Sequence, residues 1–569
     1  MKHFKIYFCA LLIQFIGVHA AKAQEIPRDY FIKPIDVPLI LSGTFGELRS
    51  NHFHAGMDIK TQGRIGLPVK ASAAGYVSRI KIQEFGYGKV IYIQHPNGYQ
   101  TTYAHLNDFA SEIGEFVRKE QYSRESYEIE LYPKPEDFPV KQGEVVAYSG
   151  NTGSSGGPHV HFEIRDADSK PMNPFLFGFE EITDNITPRV RGIWAYTLED
   201  SAQVKGIQGK KRIQLSRNAD GIYNAEEVTA FGKIGFGIST DDQLDKAINR
   251  NGIYKIQTFL NGKLHFEQKF DQFSFAETRY INRLIDFQYY KEHKQRIQKL
   301  FIEINNPLSI NTFQDRGGKL YINEDGLHYN YQIIVEDFAG NKQEINIPIE
   351  AKKDSISQPQ LKEITPYFVQ AKYGIAFEEE NVDVYFPKEA IYDDSYLQLE
   401  FEANAVELHD YRTPIHNSVR LGFDISSSPM EVQEKMYIAN VLPWGTKYYV
   451  PTIRKKDRLT ALIKGFGRYE VAIDRDKPII TPLNVRDKKW MSNYRYMKFK
   501  IEDKETGIDS YRATVNGAFI LMEYEYKDNE LTYDFNDGKF SDGKNDFKLI
   551  ITDKVGNTSI FEAEIFRKN

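Results

Sequence analysis

Two short stretches of this chain carry residue types that could bind a metal ion. His54 and Asp58 lie four residues apart, and His159 and His161 lie two apart further along the chain. Imidazole nitrogens and carboxylate oxygens are among the ligands that zinc takes from proteins, and a catalytic zinc keeps three protein ligands and one open position. These residues therefore predict a zinc site whose open position would hold water.

The spacing of the two later histidines indicates how the chain would present them. Residues i and i+2 of a β-strand project from the same face, so His159 and His161 would point into one site. Gly56 lies between His54 and Asp58 and would let the backbone bend so that both side chains reach one ion. A single His-x-His pair is a weak indication, because a histidine is more often a satisfied polar residue than a ligand.

Further histidines lie near these two stretches. His105 lies within residues 102–106 (TYAHL), and His52 lies two residues before His54. Although His52 could share a strand face with His54, it lacks the His-x-Gly-x-Asp context. We therefore interpret His52 as a support for a ligand or as an exposed residue.

With these positions the chain resembles the lysostaphin-type (LytM-like) zinc metallopeptidases. The signature of that family is His-x(3)-Asp, then a Tyr-x-His-Leu-type segment, then His-x-His, and "HAGMD", "TYAHL" and "HVH" match it in order. The stretches "GLPVKASAAGYVSRI" and "PVKQGEVVAYSGNTGSSGGPHVHFEIR" also follow the family pattern. The resemblance covers roughly residues 40–177, which is under a third of the chain.

The resemblance implies a role for each of the five positions. The ligands of one zinc ion would be His54, Asp58 and His161. His105 and His159 would be catalytic: one would take a proton from water and the other would support the developing oxyanion, in an order that the sequence leaves open. The chain has no His-Glu-x-x-His motif, so the general base is not the glutamate of that motif.

The resemblance also implies a compact antiparallel β domain whose groove holds the zinc. Glu163 would share a strand face with His161, where it would either orient that imidazole or serve the fold alone. Residues 107–138 depart from the family, in which this connection is usually short. This acidic insertion contains an alternating pattern over residues 127–132 that favours a strand. It is either a solvated hairpin or a wall or lid of the groove.

The overall composition favours a globular protein rich in strands. The 569 residues exceed what one core usually serves, so roughly three or four domains are expected. Apolar content of 41% and charged content of 27% are ordinary, and aromatic content of 14% favours strands. The net charge of −6 shows no basic excess, which argues against a nucleic-acid partner. The predicted fold class is mostly β.

The start of the chain has the features of an export signal. Lys2 and Lys5 give a positive beginning, residues 6–18 are apolar, and residues 21–23 (AKA) form a small-x-small cleavage site. The one cysteine, Cys9, lies in this segment, so disulfides are not expected in the mature chain. No later stretch is apolar enough to span a bilayer. We expect an exported protein of the periplasm, the cell envelope or the exterior, without a transmembrane segment.

Short strands and turns follow, and a repeat organises them. Residues 252–262 (GIYKIQTFLNG) match residues 507–517 (GIDSYRATVNG), and each copy later reaches an Asp-x-x-Gly-Asn turn. Alternating strands with such turns indicate immunoglobulin-like β-sandwiches. The predicted organisation is a signal peptide (1–23), an N-terminal metallopeptidase domain (24–182), a first module with a partly helical insertion (183–352), a second β-rich module (353–474) and a third module (475–569).

The three modules carry no catalytic motif of their own. The aspartates of the Asp-x-x-Gly-Asn turns are expected to cap their own backbone, with calcium binding as a weaker alternative. We expect the modules to be spacers or binding surfaces that place the N-terminal domain, and cell-envelope proteins are candidate partners for them.

The resemblance implies hydrolysis of peptide bonds in peptidoglycan cross-links, and an export signal would send the chain to that polymer. Two other functions stay open. Some relatives with this fold have lost their ligands and act as non-catalytic scaffolds or activators of other wall hydrolases, and the sandwich modules could instead make the protein an adhesin for cell wall or glycan. Retention of all five motif positions favours the enzyme.

Overall fold

The computed structural model describes residues 26–359 and 363–568. Over these residues the chain is mostly β, which confirms the predicted fold class. The predicted export signal at residues 1–23 lies outside the described residues. Among the described helices, none has the length and apolar character that crossing a membrane requires.

The N-terminal domain is built around an antiparallel sheet of eleven strands. Its elements are β1 (Leu41–Gly43), β2 (Met57–Lys60), β3 (Pro68–Lys70), β4 (Gly75–Ile82), β5 (Lys89–Gln94), β6 (Gln100–Phe109), α1 (Ser111–Arg124), β7 (Ile129–Leu131), β8 (Pro139–Val140), β9 (Val145–Ser149), β10 (His159–Arg165), β11 (Pro171–Met172) and a 3-10 helix (Pro174–Phe177). The main path of the sheet is β1-β2-β10-β6-β5-β4-β7.

The centre of this sheet carries the motif residues. Strand β10 lies between β2 and β6, with His161 opposite Asp58 on one side and opposite Ala104 on the other. Side chains directly opposite each other across antiparallel strands have Cβ atoms about 4.5–5.5 Å apart. The strand register therefore brings the two stretches of the motif together.

The first module is a thirteen-stranded β assembly with two short helices. Its elements are β12 (Arg189–Thr197), β13 (Gln203–Val204), β14 (Lys210–Ile213), β15 (Leu215–Arg217), β16 (Tyr223–Ala225), β17 (Val228–Asp241), β18 (Lys255–Leu260), β19 (Lys263–Lys269), α2 (Ile281–Leu284), α3 (Phe287–His293), β20 (Gln298–Lys299), β21 (Phe313–Gln314), β22 (Leu320–Ile322), β23 (His328–Glu336), β24 (Lys342–Ala351) and 3-10 helices at Thr278–Tyr280 and Arg316–Gly318. The two α-helices fall in the segment for which the sequence predicts partial helix, and they are separated by Ile285 in an extended conformation.

The first module and the N-terminal domain share a hydrophobic core. Phe45 and Phe53, between β1 and β2, are buried against Phe270 and Phe273 of the first module. The rings of Phe45 and Phe273 stack with centroids 5.0 Å apart. Burying one such side chain contributes about 1.5–3 kcal/mol. Of the expected roles, a spacer or a surface that places the N-terminal domain, this packing favours the second, because the module contacts the segment that carries His54.

The second and third modules are each built from facing sheets over one core. The second contains β25 (Tyr367–Val369), β26 (Ile375–Glu379), β27 (Val382–Phe386), β28 (Ser395–Leu397), β29 (Leu399–Glu402), β30 (Ala405–Leu408), β31 (Val419–Asp424), α4 (Met430–Gln433), β32 (Met436–Val441), β33 (Lys447–Val450), β34 (Thr452–Lys455), β35 (Arg458–Ile463) and β36 (Gly467–Ile473). The third contains β37 (Ile479–Pro482), β38 (Lys489–Trp490), β39 (Tyr496–Glu502), β40 (Ile508–Val515), β41 (Ala518–Ile520), β42 (Glu523–Glu525), β43 (Glu530–Asp534), a 3-10 helix (Phe535–Asp537), β44 (Gly543–Asp553) and β45 (Thr558–Arg567).

The repeated sequence adopts the same local structure in the first and third modules. Asn261 and Asn516 have positive φ angles of 49° and 50°, and each precedes a glycine that also has positive φ. Such two-residue turns join antiparallel strands. Each asparagine Oδ1 accepts a hydrogen bond from the backbone of the neighbouring strand, from Asn330 in one case and Asp546 in the other, both at 2.8 Å.

The insertion at residues 107–138 forms the helix α1 and the short strand β7. The helix is not predicted by the sequence reading, although Ile113 and Val117 are buried on one of its faces. Its other face meets the third module, where the Tyr122 hydroxyl donates to Asp537 Oδ2 at 2.6 Å. The insertion is therefore neither a solvated hairpin nor, among the described residues, a wall of the groove described below.

Candidate active site

Three buried side chains meet at the floor of a groove. His54 Nε2 lies 3.0 Å from Asp58 Oδ1 and 3.1 Å from His161 Nδ1. His161 Nδ1 lies 2.8 Å from the same oxygen of Asp58. Three potential ligand atoms from two distant stretches of sequence thus converge on one point.

Each of the two histidines, His54 and His161, has a hydrogen-bond partner on the side of its ring that faces away from Asp58. That partner determines which ring nitrogen of the neutral imidazole carries the hydrogen. His54 Nδ1 lies 2.8 Å from the carbonyl oxygen of Thr44, which only accepts, so this nitrogen carries the hydrogen. His161 Nε2 likewise donates to the Glu163 carboxylate at 2.8 Å. The inner nitrogens of both rings then present lone pairs to each other and to Asp58. Such electron-rich atoms repel one another unless a cation lies among them, so the donor set fits a zinc ion.

Protonation competes with a metal at this cluster. Burial alone lowers the pKa of His161, but its hydrogen bonds to Asp58 and Glu163 raise the pKa to about 9. Burial alone raises the pKa of Asp58, yet the charge of His54 and hydrogen bonds from the histidines hold that pKa well below its usual range. Asp58 is therefore ionised at neutral pH, and His161 must release a proton to become a ligand.

Glu163 is a fully buried carboxylate, with 0% of its surface exposed. Arg165 Nε donates to its Oε2 at 2.6 Å, and the Tyr87 hydroxyl donates to its Oε1. Burial raises the pKa of Glu163, but the charge of Arg165 and the hydrogen bond from His161 lower it to about 2. Glu163 therefore stays ionised and orients the His161 imidazole, which is one of the two roles that the sequence left open.

The two other histidines of the motif lie beside this cluster. The ring centroids of His105 and His159 are 4.7 Å apart, and His159 Nε2 lies 3.5 Å from Asp58 Oδ1. His105 Nδ1 lies 2.8 Å from the carbonyl oxygen of Thr152, and His159 Nδ1 lies 2.8 Å from that of Gly157. Both Nδ1 atoms therefore carry hydrogen. In the neutral form of either ring, Nε2 is then the acceptor.

His105 has a backbone conformation that the sequence does not reveal. Its φ is 59°, in the left-handed region that few residues other than glycine adopt. The pairing of β6 with β9 shifts register next to it, between Leu106 and Asp108. Burial, followed by the charges of His159 and His161, lowers the pKa of His105 to about 3. His105 is therefore neutral at physiological pH.

Gly56 lies at a bend of the chain, as the sequence predicts, and it also faces a close contact. It is not among the residues with positive φ. A Cβ at this position would lie 2.2 Å from the carbonyl oxygen of Phe162 and 2.9 Å from Cγ of Glu163. Glycine is required here because β10 passes directly against it.

Replacing Gly56 by alanine should destabilise the N-terminal domain and reduce its metal content. Overpacking of this kind typically lowers the free energy of unfolding by about 1–3 kcal/mol. Because Phe162 is adjacent to His161, the three converging side chains would shift as well. Thermal unfolding and elemental analysis measure the two effects. Gly465→Ala is the matched control, since a Cβ there would meet no atom within 4 Å. A Gly56→Ala protein with parental melting temperature and metal content would contradict the close approach.

Two residues that support the site were not predicted from the sequence, because neither belongs to a motif with a recognisable spacing. One is Tyr87, described above. The other is Arg49, whose Nη2 lies 2.7 Å from Glu47 Oε2 and 3.5 Å from Asp58 Oδ2, so that it holds the carboxylate oxygen turned away from the histidines. His52 is exposed and lines the groove, which agrees with the exposed alternative.

The groove above His54, Asp58 and His161 has a volume of about 1800 Å³. One wall is the N-terminal domain. The facing side chains from the first module include Phe275, Arg191, Asp241, Arg250, Lys294 and Arg296. This module therefore forms part of the groove that leads to His54, Asp58 and His161, although its sequence has no catalytic motif.

Two other groups of three carboxylates lie in the described modules. The first group is Asp184, Asp242 and Asp337 in the first module, and the other is Asp474, at the end of the second module, with Asp503 and Asp553 of the third. Their members come from separate turns, so the sequence showed no cluster. Oδ1 of Asp337 accepts from the backbone N–H of Asn341 at 2.9 Å, and Oδ1 of Asp553 accepts from that of Asn557 at 2.8 Å. These contacts are the turn-forming role that the Asp-x-x-Gly-Asn pattern predicts.

Comparison with known proteins finds similarity in two parts of the chain. Residues 52–122 and 133–174 match the sequence model described as Peptidase family M23, and the gap between the two ranges falls within the insertion. Residues 366–474 match a Zu5-like domain. The DD-carboxypeptidase/endopeptidase Mpg of Neisseria meningitidis is 34% identical over 127 residues, which are 22% of this chain and 23% of that protein.

Two further proteins are similar over the same region. The peptidoglycan DD-endopeptidase ShyC of Vibrio cholerae is 30% identical over 111 residues, 20% of each chain. The crystallised catalytic domain of lysostaphin from Staphylococcus simulans is 22% identical, with a TM-score of 0.19 over 24% of this chain and 91% of that one. The chain spans about a quarter of the length of the curated relatives that it matches.

Proposed function

The N-terminal domain belongs to the lysostaphin-type peptidases of family M23, and on that premise we propose that this chain is an exported zinc endopeptidase that hydrolyses peptide bonds of peptidoglycan cross-links. The observation that carries the proposal is the convergence of acceptor atoms from His54, Asp58 and His161 at the floor of the groove. An inactive relative that had lost its ligands would have no reason to keep this set.

His54, Asp58 and His161 would hold one zinc ion. Zinc bound there would lower the pKa of a coordinated water to roughly 7 and polarise the scissile carbonyl. The protein contributes the geometry: Thr44 and Glu163 turn the imidazoles inward, and Arg49 holds the far oxygen of Asp58.

His105 and His159 would handle the proton. In its neutral form each ring would turn an unprotonated Nε2 toward the site, which is the form that a general base needs. Neither ring offers a hydrogen to an oxyanion in this tautomer. The ring that accepts the proton from water therefore becomes the cation that can support negative charge or pass the proton to the leaving amine.

The groove supports a polymeric substrate. Its volume of about 1800 Å³ exceeds the roughly 300–1,000 Å³ of pockets that enclose small ligands. A strand of peptidoglycan with its peptide branches needs an open site of this kind. Mpg is named as a DD-carboxypeptidase/endopeptidase and ShyC as a peptidoglycan DD-endopeptidase. We propose the same class of peptidoglycan peptide bond as the substrate of this chain.

Incubation of the full mature chain with purified peptidoglycan should test the proposal. We expect soluble peptide-containing fragments with new termini at cross-links, identified by mass spectrometry, and no release from metal-free protein. Release that persists after removal of the metal would contradict zinc catalysis. Binding to the polymer without cleavage by zinc-loaded protein would favour the non-catalytic scaffold or the adhesin instead.

A further inference from the structure

One loop positions both candidate catalytic histidines. We call residues 150–158, between β9 and β10, the His159 loop. Its carbonyl groups at Thr152 and Gly157 accept from His105 and His159, and Ser155 Oγ lies 3.1 Å from His159 Nδ1. The loop contains four glycines, and glycine is the residue with the greatest backbone freedom. Its shape therefore depends on its contacts, which within the N-terminal domain include a hydrogen bond from the Ser154 N–H to the carbonyl oxygen of Gly86 at 2.8 Å.

The third module donates hydrogen bonds to the backbone of this loop. Lys527, in the turn between β42 and β43, donates from Nζ to the carbonyl of Asn151 and lies 3.5 Å from that of Ser155. The neighbouring Tyr526 donates from its hydroxyl to the carbonyl of Gly153 at 3.4 Å. Carbonyl groups on either side of Thr152 are thus held by the third module while Thr152 itself holds His105.

An ion pair also joins the N-terminal domain to the third module next to this loop. The Lys89 side chain is only 8% exposed, and its Nζ lies 2.9 Å from Glu523 Oε2 of the third module. In the described part of the chain, Glu523 is the carboxylate that pairs with it. The Lys89 backbone N–H donates to Thr152 Oγ1 at 3.0 Å. A buried ammonium group without a partner is costly, so the N-terminal domain depends on the third module to neutralise it.

The insertion supplies the rest of the docking surface. The Arg118 guanidinium on α1 pairs with Asp537, which also accepts from Tyr122. Glu125, just after the helix, pairs with Arg512 at 2.5 Å. The third module is therefore anchored on α1 at one end and reaches the His159 loop with the β42–β43 turn at the other.

We infer that the third module completes the active site, and that Lys527 is a positioning residue that holds the His159 loop so that Nε2 of His105 and of His159 face the substrate. The inference rests on the proposed function and adds to it that catalysis requires a residue more than 350 positions away from the motif. Lys527 acts through the loop and does not touch the reacting atoms.

Lys527→Met in the full chain should lower kcat with little change in KM or in zinc content. Loss of an outer residue that orients a site typically costs about 10-fold, and that is the fall expected here. Lys527→Arg, which keeps a cationic donor, should retain most of the activity. Lys548→Met is the matched control, because Lys548 pairs with Glu562 within the third module. Thermal unfolding would verify that each variant is folded, with Tyr526→Phe as the second variant should Lys527→Met fail to fold.

Hydrogen exchange read by mass spectrometry gives a test that does not depend on activity. A peptide covering residues 150–158 should exchange faster in Lys527→Met than in the parent, and at the parental rate in Lys548→Met. Unchanged exchange, unchanged kcat, or zinc lost together with activity would each overturn the positioning role. If the parent itself does not cleave peptidoglycan, the proposed function fails, whereas the exchange measurement still decides whether Lys527 holds the loop.

Discussion

His161→Ala should give a folded chain that holds little zinc and does not cleave peptidoglycan. The Nδ1 atom of His161 lies within 3.1 Å of both other ligand atoms, so its removal leaves an incomplete site. A ligand present at about 100 times its Kd adds about 2.7 kcal/mol of stability, which corresponds to a loss of roughly 5–10 °C in melting temperature for a domain of this size. Asp58→Ala should behave in the same way.

Elemental analysis and thermal unfolding measure the two consequences. His52→Ala is the control, since His52 belongs to the same segment but is exposed at the groove. It should keep its zinc and its melting temperature. If His161→Ala bound zinc at the parental ratio, the ligand assignment would be wrong.

His105→Ala should keep zinc and lose most of its turnover. His105 is outside the group of three ligand atoms, and its Nε2 is an acceptor that can take part in proton transfer. Removing a general base or an oxyanion donor typically lowers the rate by about 100-fold or more. The measurements are metal content and the rate of fragment release from peptidoglycan. His159→Ala should show the same pattern.

The opposite pattern would reverse the roles. A His105→Ala protein that lost its zinc, beside a His161→Ala protein that kept it, would make His105 a ligand. Full turnover in both His105→Ala and His159→Ala would leave the proton transfer to a group outside the motif.

The convergence of His54, Asp58 and His161 could be predicted from sequence, because the family signature names these positions and strand geometry brings them together. His159 and His161 share a face by the two-residue period of a strand. The antiparallel register then places Asp58 directly opposite His161. The bend at Gly56 was predicted, but the close contact that also requires glycine there was not, because it depends on which strand passes over that position.

What the sequence could not supply are contacts between distant segments. Lys89 and Glu523 are 434 positions apart, and no pattern in either segment connects them. The left-handed backbone of His105 likewise arises where strands of different register meet. Helix α1 was missed because the apolar positions of this segment recur only weakly at helical spacing, although its residues up to 122 match the family model.

The core that joins the N-terminal domain to the first module can form only after both parts of the chain have been synthesised. Residues emerge from the N-terminus onward, so Phe45 and Phe53 appear before Phe270 and Phe273, the rings that bury them. Until those rings follow, the segment that carries His54 lacks the apolar partners that bury Phe45 and Phe53. On the proposed function, a nascent or truncated chain that ends before residue 270 is therefore expected to cleave peptidoglycan more slowly than the full chain.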